Sequence, residues 1–132
     1  MLRKAQIVEK PWGHEEIWAQ ASRYMAKILF IKNGHRLSRQ LHRTKEETIM
    51  VLEGVLTCEL GPTHAGGAPT VHKMGPGEIC HVIPNTIHRF GADEGDVRLV
   101  EASTPENSDV ERLEDDYRRI TNIPWPPPAD GK

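Results

Sequence analysis

Gln40 and His42 stand two apart in a run, Leu37 to Arg43, that otherwise reads as a β-strand. Alternation along a strand puts both side chains on one face. Glu47 opens the next β-like run after the short connection Arg43 to Glu46, so a hairpin can carry it beside His42. His88 comes much later, just past the turn residues Pro84, Asn85 and Thr86. A sheet that closes on itself would collect all four on one inward face. Two imidazoles, a carboxylate and an amide oxygen suit one divalent metal ion, zinc first, with manganese, iron or nickel as alternatives. An octahedral set would keep two positions for water or substrate. A Gln-x-His pair by itself is equally the mark of a polar pair on an open sheet face.

Other residues offer chemistry beside these four. His81 is a candidate acid or base near neutral pH, or a hydrogen-bonded wall histidine. Glu101 lies in the β-like run Val97 to Ala102, where a buried charge would be costly without a partner. It is the second candidate base. Lys27, in an otherwise apolar strand, can hold a phosphate as a point charge or face solvent. Arg89 follows His88 directly, so alternation points it to the opposite face. That argues against direct catalysis and leaves substrate binding as its candidate role. Trp12 and Trp18 read as core or interface aromatics. His14, His64 and His72 read as loop or surface residues.

The elements that must position these groups are short and β-rich. Strand patterns run from Tyr24 to Lys32, Leu37 to Arg43, Glu47 to Leu52, Val55 to Leu60 and Thr70 to Lys73. Three more cover Glu78 to Ile83, Ile87 to Phe90 and Val97 to Ala102. Turn signals such as Asn33-Gly34 and Gly61-Pro62 separate them. Regular short strands with little helix between them indicate an all-β sandwich or barrel. One helix is expected, from Asp109 to Arg119. Asp109 can cap it, and Val110, Leu113 and Tyr117 share a face. The tail from residue 121 to 132 is rich in proline and reads as an extended arm.

The chain of 132 residues suits one domain, expected over residues 1–120. Hydrophobic residues make up 37%, charged residues 27%, and the net charge is −2. Nothing in that balance calls for nucleic acid, which needs a basic face. No apolar run approaches a membrane span or a secretion signal, so a cytoplasmic location is expected. Cys58 and Cys80 are not in a CxxC pair and read as reduced thiols in apolar strands.

Two runs carry a resemblance to known proteins. The segment from Gly34 to Gly54 (GHRLSRQLHRTKEETIMVLEG) resembles the first cupin motif, with Gln40 in place of its first histidine. The segment from Gly77 to His88 (GEICHVIPNTIH) resembles the second. There Ile83 replaces a proline, and Asn85 replaces a glycine, a mild change because Asn tolerates left-handed backbone. The chain is also similar to type II phosphomannose isomerases. The shared residues are KPWG (Lys10 to Gly13), LSRQLH (Leu37 to His42), Glu47, Gly54, His88-Arg89, Glu101 and RLEDDYRR (Arg112 to Arg119). Departures fall at Arg43 to Glu46, at His81 and at Arg118, where that family has histidines, an aromatic residue and a glycine.

The resemblance implies a double-stranded β-helix, or jelly-roll barrel, with a metal on Gln40, His42, Glu47 and His88. It also implies a sugar-phosphate substrate and an aldose–ketose isomerase of the mannose-6-phosphate type. A non-catalytic module that binds a small sugar or acid is the alternative, because this fold hosts many activities. An iron-dependent dioxygenase fits the ligand types, although glutamine is unusual where such enzymes offer histidine. Cupins of this kind are commonly dimers. A homodimer is expected, with the segment Ala5 to Trp18 crossing to the partner.

Overall fold

Runs of aliphatic and β-branched residues between glycine and proline turns form strands throughout. The structure is a computed structural model and describes residues 1–106 and 108–119. In chain order the strands are β1 (Gln6–Lys10), β2 (Gly13–Gln20), β3 (Met25–Ile31), β4 (Arg39–Leu41), β5 (Glu47–Glu53) and β6 (Leu56–Leu60). Then follow β7 (Thr70–Met74), β8 (Ile79–Val82), β9 (His88–Gly91), β10 (Val97–Ser103) and β11 (Glu111–Glu114).

Two antiparallel sheets face each other. One has six strands in the order β1-β2-β3-β10-β5-β8, the other five in the order β11-β4-β9-β6-β7. This is the expected jelly roll. Strands distant in sequence pair across it: β10 lies between β3 and β5, and β9 between β4 and β6. Their inward faces form the core, where Leu29, Ile31, Ile49, Val51, Leu56 and Leu99 are buried with Trp12 and Phe90. Removing one such side chain costs roughly 2–5 kcal/mol. Cys58 and Cys80 are free thiols, buried and half-buried.

Two turns carry the backbone conformations that the motifs call for. Gly54 has φ +87°, and a Cβ there would meet the Asp96 carbonyl oxygen at 2.2 Å. Only glycine fits that turn between β5 and β6. Asn85 adopts φ 66°, as its left-handed tolerance implies. Its N–H donates to the carbonyl of His42 at 2.7 Å. The turn before His88 is thereby fastened to the end of β4.

Most of Ala5 to Trp18 forms the hairpin β1–β2, which adds to β3 within the chain. One expectation needs correction. The expected helix from Asp109 to Arg119 is absent. Glu111 and Arg112 pair with Leu41 and Gln40, so this segment extends the five-stranded sheet as β11. A register shift after Arg112 leaves Leu113 49% exposed. The free edge of β4 offers hydrogen bonds that outweigh a modest helical preference. Residues 121–132 lie outside the described residues. No helix among the described residues is long and apolar enough to cross a membrane.

Candidate metal centre

Cross-strand register brings the predicted ligands together. Gln40 on β4 is opposite His88 on β9, so the two share the inward face. His42 follows the end of β4, and Glu47 opens β5 in the other sheet. The donor atoms of His42, Glu47 and His88 lie within 4.8 Å of one another, and all three residues are buried. Nε2 of His42 is 3.2 Å from Glu47 Oε2. Gln40 Nε2 is 3.5 Å from His42 Nε2, and its Oε1 accepts a hydrogen bond from Ser38 at 2.6 Å.

Each imidazole is oriented from behind. Nδ1 of His42 donates to the Asp109 carbonyl, and Nδ1 of His88 donates to the Thr86 carbonyl at 2.8 Å. Both Nε2 atoms therefore face the cluster, as metal-ligating histidines are held in general. Nε2 of His88 is buried without any hydrogen-bond partner. A buried polar atom without a partner is costly in a folded protein. A divalent ion accounts for it, and the donor set fits one. Burial lowers the pKa of His88 and so favours the neutral, ligating form. Burial alone would raise the pKa of Glu47. The close contact with His42 and the charge of Lys45 outweigh it and hold the carboxyl at about 2.

A pocket of about 170 Å³ opens on this cluster. Trp12, Leu29, Leu37 and Phe90 give it apolar walls. Two buried ion pairs lie in it. Lys45 Nζ is 2.9 Å from Glu101 and 3.7 Å from Glu47, and all three side chains are less than a tenth exposed. Lys27 Nζ is 3.0 Å from Glu15 Oε2. Burial lowers the pKa of Lys45, but the carboxylates of Glu101 and Glu47 raise it above the ordinary lysine value. A charged Lys45 thus sits against the metal cluster.

Residues 2–120 match the family model described as mannose-6-phosphate isomerase C-terminal. The chain belongs to this family. Solved structures agree on the fold. KdgF from Halomonas sp. is 19% identical with a TM-score of 0.67, over 79% of this chain and 89% of that one. An RmlC-like cupin from Shewanella frigidimarina is 16% identical with a TM-score of 0.68, over 80% and 87%. A candidate sugar phosphate isomerase from Acidithiobacillus ferrooxidans is 15% identical with a TM-score of 0.64, over 83% and 74%. No curated protein matches the chain.

This member of the family places the other expected residues unevenly. Glu101 and Lys27 line the pocket. His81 does not. It pairs with Thr48 across β5, on the outer face, and its half-exposed ring meets Glu46. Ile79 and Ile83 share the strand parity of His81, and that parity faces outward. Ile79 and Ile83 are 63% and 55% exposed, whereas Val82 is buried. Arg89 is buried but points away from the pocket, as alternation requires. It bonds the Leu37 carbonyl, Glu114 and Asp116 at 2.9, 2.6 and 3.3 Å, and so holds the C-terminal segment rather than a substrate.

Lys45 was missed because its segment reads as a loop. Its spacing of two from Glu47 is the signal that would have placed it inward. Asp109, expected as a helix cap, instead caps the loop between the ligands. Its carboxylate accepts from the N–H groups of Arg43, Thr44 and Lys45 at 3.2, 2.7 and 2.9 Å. We predict that His42→Ala abolishes Zn2+ binding in calorimetric titration. Asp109→Ala should weaken it about tenfold or more, by loosening that loop. Wild-type affinity in His42→Ala would place the ion elsewhere.

Proposed function

We propose that this chain is a metal-dependent aldose–ketose isomerase acting on a sugar phosphate, with mannose 6-phosphate as the first substrate to test. The observation that carries the proposal is the Lys45–Glu101 pair, held 2.9 Å apart beside the His42, Glu47 and His88 cluster inside one pocket. Membership of the mannose-6-phosphate isomerase C-terminal family supports it.

Such an isomerisation moves one proton between neighbouring carbons and redistributes two oxygen-bound protons. A divalent ion on Gln40, His42, Glu47 and His88, zinc in the first instance, supplies polarisation of the substrate's C1 and C2 oxygens when bound. The remaining work falls to this chain's own groups. The Glu101 carboxylate takes the proton from C2 and returns it to C1 through an enediol. The Lys45 ammonium donates a proton to O1 as the enediol forms and recovers one from O2 as the ketose forms. The ion pair keeps base and acid in register, and the apolar walls exclude water from the enediol.

Metal-loaded protein should convert mannose 6-phosphate to the ketose in a coupled assay, and chelation should stop it. Glu101→Gln should retain the metal and lower kcat about 10²–10⁴-fold, the usual worth of a positioned base. His81→Ala should leave the rate unchanged. A wild-type protein that turns over no sugar phosphate would replace this reading with the binding module.

We further propose a homodimer through the outer face of the six-stranded sheet. Trp18, Met50 and Ile79 are exposed there, and Ile28, Phe30 and Val100 are only half-buried. A second copy would cover this apolar surface. Light scattering at micromolar concentration should give the dimer mass, and Met50→Lys should lower it toward the monomer. A monomeric wild type would refute the assembly.

A further inference from the structure

The pocket gathers cations away from the ion cluster as well as beside it. Lys10 ends β1, Arg112 lies on β11, and Arg119 follows β11. All three line the pocket, and all three are half-buried, in contrast to buried His42, Glu47 and His88. They mark the mouth, with the metal ligands at the floor. Lys27 lies deeper and is held by Glu15 at 3.0 Å.

The register of the five-stranded sheet fixes how far mouth and floor are apart. Arg112 is opposite Gln40, and Gln40 is opposite His88. The three side chains therefore form a row across one inward face. Adjacent strands are about 4.8 Å apart. An anion on Arg112 would thus sit roughly 5–10 Å from the cluster, one to two strand spacings. That suits a ligand with its reacting carbons at one end and an anionic group at the other.

We propose that Lys10, Arg112 and Arg119 form an anion subsite that takes the phosphate of a small phosphorylated sugar and orients its other end toward the His42, Glu47 and His88 cluster. The inference rests on the isomerase reading for the sugar, but the anion site is testable without turnover. Three chain segments supply it, so its geometry depends on the docked β11. Arg119 is aimed by Asp115, which takes its Nε and Nη2 at 3.0 and 3.2 Å. Guanidinium groups bind phosphate through paired N–H donors, and a lysine adds a mobile point charge.

The electrostatics of the mouth agree. Burial lowers the pKa of Lys10; Glu15 opposes this, and Lys27, Arg119 and Arg112 add to it. Burial likewise lowers that of Arg112, and Arg119 adds to it, while Asp115 and Glu15 oppose it. The cations crowd one another, and a bound dianion would relieve that repulsion.

The test is titration of the metal-loaded protein with inorganic phosphate, followed by calorimetry. Wild type should bind, and Arg112→Gln, Arg119→Gln and Lys10→Gln should each weaken binding about tenfold, the loss of one charge-assisted contact. Arg23→Gln, in the exposed turn between β2 and β3, should change nothing. Arg112 and Arg119 also brace β11, so Lys10→Glu, confined to the rim, decides the matter should the arginine variants unfold. Absence of phosphate binding by the wild type, or wild-type affinity in Lys10→Glu, would overturn the subsite. Turnover separates the two claims. A protein that isomerises mannose 6-phosphate with an unchanged KM in Lys10→Glu keeps the function and loses the subsite. One that binds phosphate through these residues but isomerises nothing keeps the subsite and loses the function.

Discussion

Buried charge needs a partner, and this small barrel buries a cluster of charged and polar groups between its two sheets. Glu47, Glu101, Lys45, His42 and His88 are each no more than 5% exposed. Isolated, any of the carboxylates or the ammonium would be strongly destabilising. Together they answer one another. Lys45 lies between Glu101 and Glu47, and Glu47 meets His42. Nε2 of His88 is buried with no hydrogen-bond partner among the described residues. The apolar core around Ile49, Leu56 and Leu99 is the frame that holds these groups in place. The polar cluster is what the frame is arranged to carry.

The C-terminal segment does more than cover an edge. β11 pairs with β4, the strand that carries Gln40. Just before it, Asp109 holds His42 through its carbonyl and the Arg43–Lys45 loop through its carboxylate. Just after it, Arg36 takes both oxygens of Asp116 at 2.7 and 3.0 Å, and His35 meets the Tyr117 hydroxyl at 2.8 Å. Buried Arg89 also bonds Asp116, together with Glu114, from the opposite side of β9. The arginine that follows a metal ligand thus fastens the strap that orients another ligand.

Much of this was legible in the residues themselves. Period-two spacing paired Gln40 with His42, and the left-handed tolerance of Asn85 allowed the turn that delivers His88. Three features were not, for different physical reasons. The inward set of β8 is Cys80 and Val82, but Ile79 and Ile83, which follows the strand, argue for the opposite parity from hydrophobicity alone. Asp109 to Arg119 has a genuine helical pattern, which lost to an unpaired sheet edge contributed by residues far away in sequence. The hairpin β1–β2 is half-exposed and charged on one face, so it carries weak strand signals, and buried Glu15 is paired with Lys27, its diagonal neighbour on β3. Contacts between distant segments decided each case.

The central claim is that one divalent ion binds where the two sheets deliver His42, Glu47 and His88. A crystal structure of the zinc-loaded protein, with anomalous scattering recorded at the zinc edge, tests it most directly. The account predicts one strong peak per chain, with Nε2 of His42 and His88 and a Glu47 oxygen about 2.0–2.2 Å away and Gln40 adjacent. A peak at Cys58 and Cys80 or at the surface histidines, with none between these three side chains, would contradict it.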